Sequence, residues 1–380
     1  MRALILTNQF YHFAGAEMCA LEIAEELRRR NFDVSLIANE IDGELRTRLA
    51  EIGVNTSTEL DKANLFEFDL VWSQHHMLPS LLLQAVEMCV EPDSWPFIVF
   101  NHLSPYDPAE VPGPFIERQF ADIILANSPE TAEKLKEYGA PFDEAEVFAN
   151  PAPLGYGQVR STPKQHLQSL LVVSNHRNPI VSQSLRKISN CGIKITRVGR
   201  RHSSQRVTPE LIESHDAVLT IGKTVQYALR CNRPVFCYDR FAGPGWLTGE
   251  NFTEAAWFNF SGRDRPKTRS AEELAAEIIN GYAAGRDFVA SLDASRLRPY
   301  CLEGRLDDVL TLLQSTREKA SWHRSRIDSF CEGSTRVMIR HEAQLAALYR
   351  KEFLHRRSLE KRKQNLRRPL HILQKLLRLH

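Results

Sequence analysis

The sequence predicts two consecutive α/β domains, each built on a doubly wound parallel sheet, followed by a helical C-terminal extension. Short apolar runs alternate with stretches in which apolar residues recur at helical spacing. A run rich in Pro and Gly at 147–166 interrupts this alternation, which then resumes. Strand, helix and strand at such lengths form βαβ units with parallel strands. We therefore expect domains at 1–160 and 161–300 and the helical extension at 301–380.

The first half of the chain supplies the first series of elements. The apolar run at 2–8 predicts a buried strand, the stretch 16–31 a helix, and the run at 32–39 the next strand. The same alternation predicts strands at 68–74, 96–101 and 121–128 and helices at 78–89 and 129–139.

The second half repeats the pattern after the predicted linker. Its apolar runs predict strands at 168–175, 193–199, 216–222 and 233–239, separated by predicted helices at 182–192, 208–215 and 223–232. A further helix is predicted at 270–285, where Ser270 and Glu273 have the spacing of a capping box. We expect a loop after the strand that ends at Asp239, and helices beyond about residue 300.

Composition indicates an ordinary globular protein. Of the 380 residues, 43% are hydrophobic and 25% charged, and the seven cysteines show neither a C-x-x-C pair nor a repeated spacing. The N-terminal apolar run is too short for a secretory signal, and no apolar stretch reaches the length of a membrane span. These features predict a cytoplasmic protein with reduced thiols.

Charge is unevenly distributed along the chain. Residues 350–380 contain eleven Lys or Arg and two Glu, a net charge of +9, which leaves −7 for the rest because the whole chain carries +2. After Pro369, the residues Leu370, Leu373, Leu376 and Leu377 would share one helix face, with Lys375 and Arg378 on the other. Such a helix suits an anionic membrane surface. A solvated tail or a docking segment fits equally, and nucleic acid is a less favoured partner.

The triplet Gly222, Lys223 and Thr224 lies at a predicted strand-to-helix junction. A complete ATP-binding P-loop would need glycine where Ala217 stands, so the Walker pattern is broken. A helix start of this kind still favours an anion, because unpaired amides and the helix dipole point outward. A simple helix cap explains the triplet equally well.

Several stretches resemble family-four glycosyltransferases of the GT-B class. The segment 13–38 is similar to their opening loop, helix and strand, 121–139 to an element near the end of their first domain, and 227–245 to their donor-site helix and strand. The resemblance covers about residues 1–290. It implies two Rossmann-like domains facing across a cleft, a nucleotide diphosphate sugar as donor substrate, no cofactor and no metal, and a glycan or lipid-linked acceptor. The resemblance also implies a retaining mechanism, and a lipid-linked acceptor would fit peripheral contact with a membrane.

The sequence departs from the family at the donor site. Tyr227 stands where the family carries a ribose-binding glutamate, and a second glutamate is absent near Leu219. Glu250 or Asp239 is our substitute candidate for the sugar or ribose hydroxyls, and Tyr227 could stack on the base. The departure leaves open a non-catalytic nucleotide-sugar or glycan-binding protein, or a sugar-nucleotide epimerase or hydrolase.

Ligands of open α/β sheets bind beyond the carboxyl ends of the strands, and this rule selects the other candidates. Lys223 and Arg200 are predicted to stabilise the leaving diphosphate, although Arg200 could equally be a surface residue. The resemblance also implies that His102 binds the sugar or acceptor, with His75 and His76 as weaker candidates. The remaining predicted donor-binding residues are Gly15, Ala16, Asn175, His176, Gly199, Gly222 and Thr224, with Arg177 beside them.

Overall fold

The computed structural model describes residues 1–60, 63–90, 92–106, 110–113, 115–158, 161–263 and 268–376, with side chains as far as residue 362. The strands are β1 (Arg2–Phe10), β2 (Asp33–Ile41), β3 (Asn55–Ser57), β4 (Leu70–Ser73), β5 (Phe97–His102), β6 (Ile123–Ala126), β7 (Glu146–Val147), β8 (Ser169–Val173), β9 (Lys194–Val198), β10 (Ala217–Thr220), β11 (Val235–Asp239) and β12 (Ala242–Trp246). The helices of the first domain and linker region are α1 (Gly15–Arg29), α2 (Gly43–Glu51), α3 (Leu78–Glu87), α4 (Ile116–Phe120) and α5 (Pro129–Lys136). Those that follow are α6 (Pro179–Asn190), α7 (Pro209–Glu213), α8 (Lys223–Arg230), α9 (Phe252–Trp257), α10 (Ala271–Asn280), α11 (Tyr282–Ala290), α12 (Ala294–Leu297), α13 (Leu302–Arg317), α14 (Ala320–Cys331) and α15 (Gly333–Leu376).

The first sheet has seven strands in the order β3-β2-β1-β4-β5-β6-β7, and every pairing is parallel. Its central strands are buried on both faces, which explains why they appear in the sequence as continuous apolar runs. One apolar cluster joins α1 to one face of this sheet, and another joins α3 to the opposite face. The predicted doubly wound arrangement is confirmed.

The second sheet has the order β12-β11-β10-β8-β9, parallel except for β12. The prediction of a loop after β11 was wrong, because Ala242–Trp246 turns back and pairs antiparallel with β11. Gly243 permits this pairing: its φ is +155°, and a Cβ there would lie 2.2 Å from the carbonyl oxygen of Cys237. The predicted capping box of Ser270 and Glu273 is present at the start of α10.

The chain crosses between the domains twice, at neighbouring points. Phe148 packs in the first core, whereas Ala152 and Tyr156 pack in the second. On the return, the Ala152 amide donates to the Tyr300 carbonyl, and the Leu302 amide donates to the Ala152 carbonyl. These bonds hold the two crossings side by side, which limits how far the domains can separate there.

The C-terminal region is helical, as predicted, and it packs on the first domain. Leu306 and Leu310 of α13 join one apolar cluster of that domain, and Phe330 and Ile339 of α14 and α15 join the other. The 44 residues of α15 span about 66 Å at 1.5 Å per residue. Leu377 and Arg378 lie outside the described residues, as do the side chains of the predicted apolar face from Leu370 onward. Among the described helices, none is both long and apolar enough to cross a membrane.

Candidate functional site

A cleft of about 340 Å³ opens between the carboxyl ends of the two sheets. Both domains line it: α1 and the loop before it from the first, and the ends of β8, β9, β10 and β11 from the second. Most of the predicted donor-site residues lie on its walls, namely Gly15, Ala16, Asn175, His176, Gly199, Arg200, Gly222, Lys223, Thr224, Tyr227 and Asp239.

The strand ends of β8, β9 and β11 are joined by short polar contacts on the second-domain wall. The Asn175 side-chain oxygen accepts from the Arg200 amide at 3.0 Å, and the Ser174 hydroxyl donates to Asp239 at 2.7 Å. Burial raises the pKa of Asp239. Gly199 has a φ of +140°, and a Cβ there would lie 1.9 Å from the Ser174 carbonyl oxygen. Only glycine lets β8 and β9 come this close at the cleft.

The predicted junction at Gly222 is present, since β10 ends at Thr220 and α8 begins at Lys223. Gly222 has a φ of +63°, and its amide donates to the Phe260 carbonyl at 3.0 Å. As the N-cap residue it has no side chain to cover the first turn of α8. The start of this helix, where the dipole is positive, therefore faces the cleft.

Lys223 lines the cleft, but its charge is paired within the protein. Its Nζ lies 2.8 Å from Glu22 Oε2 and donates to the Pro151 carbonyl at 3.1 Å. Burial opposes the charge, yet neighbouring Cys19 and Glu22 raise the pKa of Lys223, so the ammonium persists. The prediction that Lys223 offers a full charge to a ligand is therefore revised.

Tyr227 is also committed within the protein. Its hydroxyl donates to Glu22 Oε1, and its ring stacks on Tyr156 with centroids 4.3 Å apart. The predicted stacking of Tyr227 on a base conflicts with this arrangement. The partner of both Lys223 and Tyr227 is Glu22 of α1, which is 1% exposed.

Glu22 is the main residue that sequence reasoning missed. The available signal was its place four residues after Met18 on the apolar side of α1, where a carboxylate needs a partner. Arg206 reinforces the same contact between domains, with two 2.8 Å bonds to Glu25. The two domains are therefore joined by the buried pair of Lys223 and Glu22 at the cleft and by the partly exposed pair of Arg206 and Glu25.

Arg200 is exposed at the cleft, where its Nη2 lies 3.2 Å from His12 Nε2 of the first domain. Burial lowers the pKa of His12, and the charge of Arg200 lowers it further, so the ring stays neutral and can accept this contact. Unlike Lys223, Arg200 makes its contact with an uncharged group and keeps its charge available at the cleft.

The first-domain wall begins at α1. Gly15 has open space around it, and Gly15 and Ala16 bring the backbone to the cleft surface. Beside them, Glu17 accepts a hydrogen bond from Gln9 at 3.1 Å, and burial raises its pKa to about 7. This carboxyl group is therefore partly protonated near neutral pH.

The predicted histidines of the first domain, His75, His76 and His102, lie outside the cleft lining. His102 follows β5 but is buried, with Nδ1 donating to the Glu110 carbonyl at 2.8 Å and Nε2 lying 2.9 Å from Glu117. Burial opposes its charge, but the neighbouring Glu117 carboxylate raises the pKa of His102 overall. His75 accepts from the Asn8 amide, and the His76 ring faces Glu342 of α15. Their contacts are those of packing residues.

Two other candidates also lie away from the cleft. Glu250 is exposed at the turn before α9, and Arg177 is exposed beyond the cleft-lining residues that follow β8. Neither lines the cavity, so Asp239 is the acidic substitute candidate that the fold brings to it.

Comparison with known proteins finds the same architecture in solved structures. Residues 13–155 match the family Glycosyltransferase Family 4. The chain is similar over 83% of its length to a glycosyltransferase from Rickettsia africae, covering 98% of that chain with a TM-score of 0.54 and 13% identity. It is similar to Anabaena HepE solved with UDP-glucose, over 83% of this chain and 100% of that one, with a TM-score of 0.53 and 14% identity. No curated protein matches the chain in sequence.

Two α/β domains that face each other across a cleft define the GT-B class of fold, and the described chain has this fold. Its first domain and the crossing into the second carry the Glycosyltransferase Family 4 match. The family resemblance predicted from sequence is therefore confirmed at the level of fold.

Proposed function

We propose that this protein is a glycosyltransferase that moves a sugar from a nucleoside diphosphate sugar to a glycan or lipid-linked acceptor. The observation that carries the proposal is the cleft, where Gly222 at the start of α8 and exposed Arg200 lie on one wall. A helix N-terminus and a cation together suit a diphosphate. HepE was solved with UDP-glucose, so UDP is the first nucleotide to test.

In this proposal the protein accelerates transfer by stabilising the departing diphosphate. Negative charge grows on that group as the glycosidic bond breaks, and fixed donors in a cleft stabilise it without reorganising. The amides at the start of α8 and the Arg200 guanidinium supply those donors, while Lys223 holds the domains together. We expect a retaining reaction without a metal, so EDTA should leave the transfer rate unchanged.

Nucleotide binding is the first test. A thermal-shift panel of UDP, GDP, ADP, CMP and dTDP should single out one nucleotide, because a ligand at about 100 times its Kd adds roughly 2.7 kcal/mol to the native state. Arg200→Ala should weaken that nucleotide about tenfold, since it removes a charge-assisted contact. Arg201→Ala is the matched control, because Arg201 is the exposed neighbour outside the cleft lining. An equal loss of nucleotide affinity in both variants would contradict the assignment of Arg200 to the diphosphate site.

A non-catalytic binding protein on the same fold is the second candidate. The observation in its favour is Tyr227, which stands where the resemblance expects a ribose-binding glutamate and is bonded to Glu22. This candidate predicts nucleotide-sugar binding without release of the nucleotide, either with or without an acceptor. Measuring nucleotide release against bound donor separates the two functions.

We also propose that α15 brings the protein to an anionic membrane on the cytoplasmic side. Its outer surface exposes Leu348, Tyr349 and Leu359 beside Arg356, which is 76% exposed. Apolar and basic groups on one helix suit anionic headgroups. Co-sedimentation with phosphatidylglycerol vesicles should exceed that with phosphatidylcholine and fall with salt. Arg356→Glu should weaken it, whereas equal binding to both lipids would contradict the proposal.

A further inference from the structure

A second, open groove of about 490 Å³ lies beside the cleft, between α5 of the first domain and the end of α9 of the second. This volume is in the range of small-ligand sites. The groove has one wall from each domain, and the residues that line it are separate from those that line the cleft.

Exposed aromatic rings stand on both walls of this groove. Trp257 at the end of α9 is 45% exposed, and Tyr106 in the loop after β5 is 58% exposed. Phe258 adds a third, partly exposed ring. Large aromatic side chains exposed together across a groove are unusual on a surface that only meets water. They offer flat faces for the C–H groups of a ligand.

Charged groups of α5 and of Glu137, which follows it, line the groove together with these rings. Glu133 pairs with Lys136 at 2.7 Å, and Glu137 pairs with Lys134 at 2.8 Å, each with more than half of the carboxylate side chain exposed. Such groups can accept from hydroxyls or donate to them without giving up a buried partner. A ligand with many hydroxyls and apolar C–H faces matches this mixture, and a sugar chain has both.

Tyr106 is held in place by a contact between the domains. Its hydroxyl donates to Glu130 at 2.8 Å, and Arg263 of the second domain also pairs with Glu130. The Arg263 guanidinium lies 4.9 Å from the centre of the Tyr106 ring. The ring is therefore oriented before any ligand arrives, which lowers the entropic cost of binding.

The groove and the cleft are lined by consecutive residues of one segment. Asn259 has a φ of +52° and Phe260 a φ of +50°, so the chain turns sharply after α9. As a result Asn259 lines the cleft, while its neighbours Trp257 and Phe258 line the groove. A chain that reacts in the cleft could extend along the aromatic rings.

We propose that this groove binds the saccharide chain of the acceptor, beyond the sugar that reacts. The inference rests on the proposed glycosyltransferase function, because it takes the neighbouring cleft to be the donor site. It assigns Trp257 and Tyr106 as stacking platforms and the α5 carboxylates as hydroxyl partners.

Direct glycan binding tests the groove without requiring turnover. The full chain is applied to a printed array of defined oligosaccharides, and Kd for the strongest ligand is then measured by calorimetry. Trp257→Ala should weaken binding about tenfold or more, as expected for an aromatic residue central to an interface, while Trp257→Phe should lose less. Phe241→Ala is the matched control, because Phe241 is a similarly exposed aromatic residue that lines neither the groove nor the cleft.

The outcomes separate this inference from the proposed function. A loss of glycan affinity in Trp257→Ala, with unchanged nucleotide binding, supports saccharide binding in the groove. Failure of the parent to bind any arrayed oligosaccharide, or equal binding by parent and Trp257→Ala, overturns it even if UDP binds and is released. Conversely, glycan binding in the groove without nucleotide binding would overturn the transferase function and leave the saccharide site standing.

Discussion

The two domains differ at the carboxyl ends of their strands. In the second domain these strand ends present polar groups to the cleft, whereas in the first domain other parts of the protein cover most of them. Asn175 and Gly199 follow strands of the second sheet, Asp239 is the last residue of β11, and all three line the cavity. His102 follows β5 of the first sheet, but Glu110 and Glu117 enclose its ring. Both sets of residues lie at the carboxyl ends of parallel strands. The difference is whether other parts of the chain cover each strand end.

The long helix α15 completes the covering of the first domain. Glu342 accepts from the amides of Phe115 and Ile116 at the start of α4, and its other oxygen lies 3.7 Å from His76. The second domain has no counterpart among the described residues, because α13 to α15 pack on the first domain. A strand end therefore serves as a binding wall only where later parts of the chain leave it open.

The largest expected effect concerns the buried pair at the boundary between these regions. Lys223→Met should lower the free energy of unfolding by about 4 kcal/mol, because it leaves the Glu22 carboxyl buried without its main partner. Adding Glu22→Gln should restore part of the loss. Denaturant unfolding of both variants measures this coupling.

Lys187→Met provides the control for the buried pair. Lys187 also pairs with a glutamate, Glu272, but this pair is exposed on the second domain. Its removal should leave the unfolding midpoint unchanged within error. Equal losses in Lys187→Met and Lys223→Met would contradict the special role of the buried pair.

The next largest effect concerns Gly199, which lies at one of the open strand ends of the second domain. Gly199→Ala should cost about 3 kcal/mol, since the new Cβ meets the Ser174 carbonyl and the φ of +140° disfavours any side chain. Gly249→Ala is the matched control, because Gly249 has open space and no strained φ. Denaturation curves should separate the two, and a tolerated Gly199→Ala would mean that the strand ends can move apart.

Sequence alone predicted the open region far better than the closed one. Continuous apolar runs predict buried parallel strands, and the residues after them, such as Asn175 and Gly222, can be placed at the cleft from topology. The pairing of Lys223 with Glu22 joins residues about two hundred positions apart, and no local pattern encodes it. The enclosure of His102 likewise depends on Glu110 and Glu117, whose contacts with its ring no local pattern encodes. Strand β12 was missed because its glycines and proline are typical of a loop.

Two buried glutamates, Glu17 in α1 beside the cleft and Glu342 in the covering helix α15, should respond to pH in the same direction. Burial raises the pKa of both Glu17 and Glu342 to about 7, well above the ordinary value near 4.5. A carboxyl that binds its proton more tightly when folded stabilises fully below pH 4.5, and this contribution is lost as pH rises to about 7. Replacing either by Gln should therefore stabilise the variant relative to the parent across that window, by roughly 3 kcal/mol at neutral pH, since each pKa unit corresponds to about 1.4 kcal/mol.

A ligand distinguishes these two glutamates. Glu17 lies beside the cleft-lining residues Ala16 and Met18, whereas Glu342 lies under α4. Bound UDP should change how the unfolding midpoint of the Glu342→Gln variant depends on pH, because this variant retains Glu17. In Glu17→Gln, bound UDP should leave the pH dependence of the midpoint unaltered. Thermal unfolding between pH 4.5 and 8 with and without UDP measures both. An altered pH dependence in Glu17→Gln would mean that the nucleotide acts on a titrating group away from the cleft wall formed by α1.

The smallest expected effect on stability is at His102. Comparing this residue with Arg200 contrasts a covered strand end of the first domain with an open one of the second. His102→Gln should lower the free energy of unfolding by about 1 kcal/mol, because glutamine can replace only part of the contacts to Glu110 and Glu117. Its Kd for the nucleotide should match that of the parent, whereas Arg200→Ala should show the reverse pattern of intact stability and weakened binding. Calorimetry of both variants tests this contrast. A His102→Gln protein that folds normally yet loses nucleotide binding would mean that the first domain opens its strand ends in solution, so that His102 reaches the cleft.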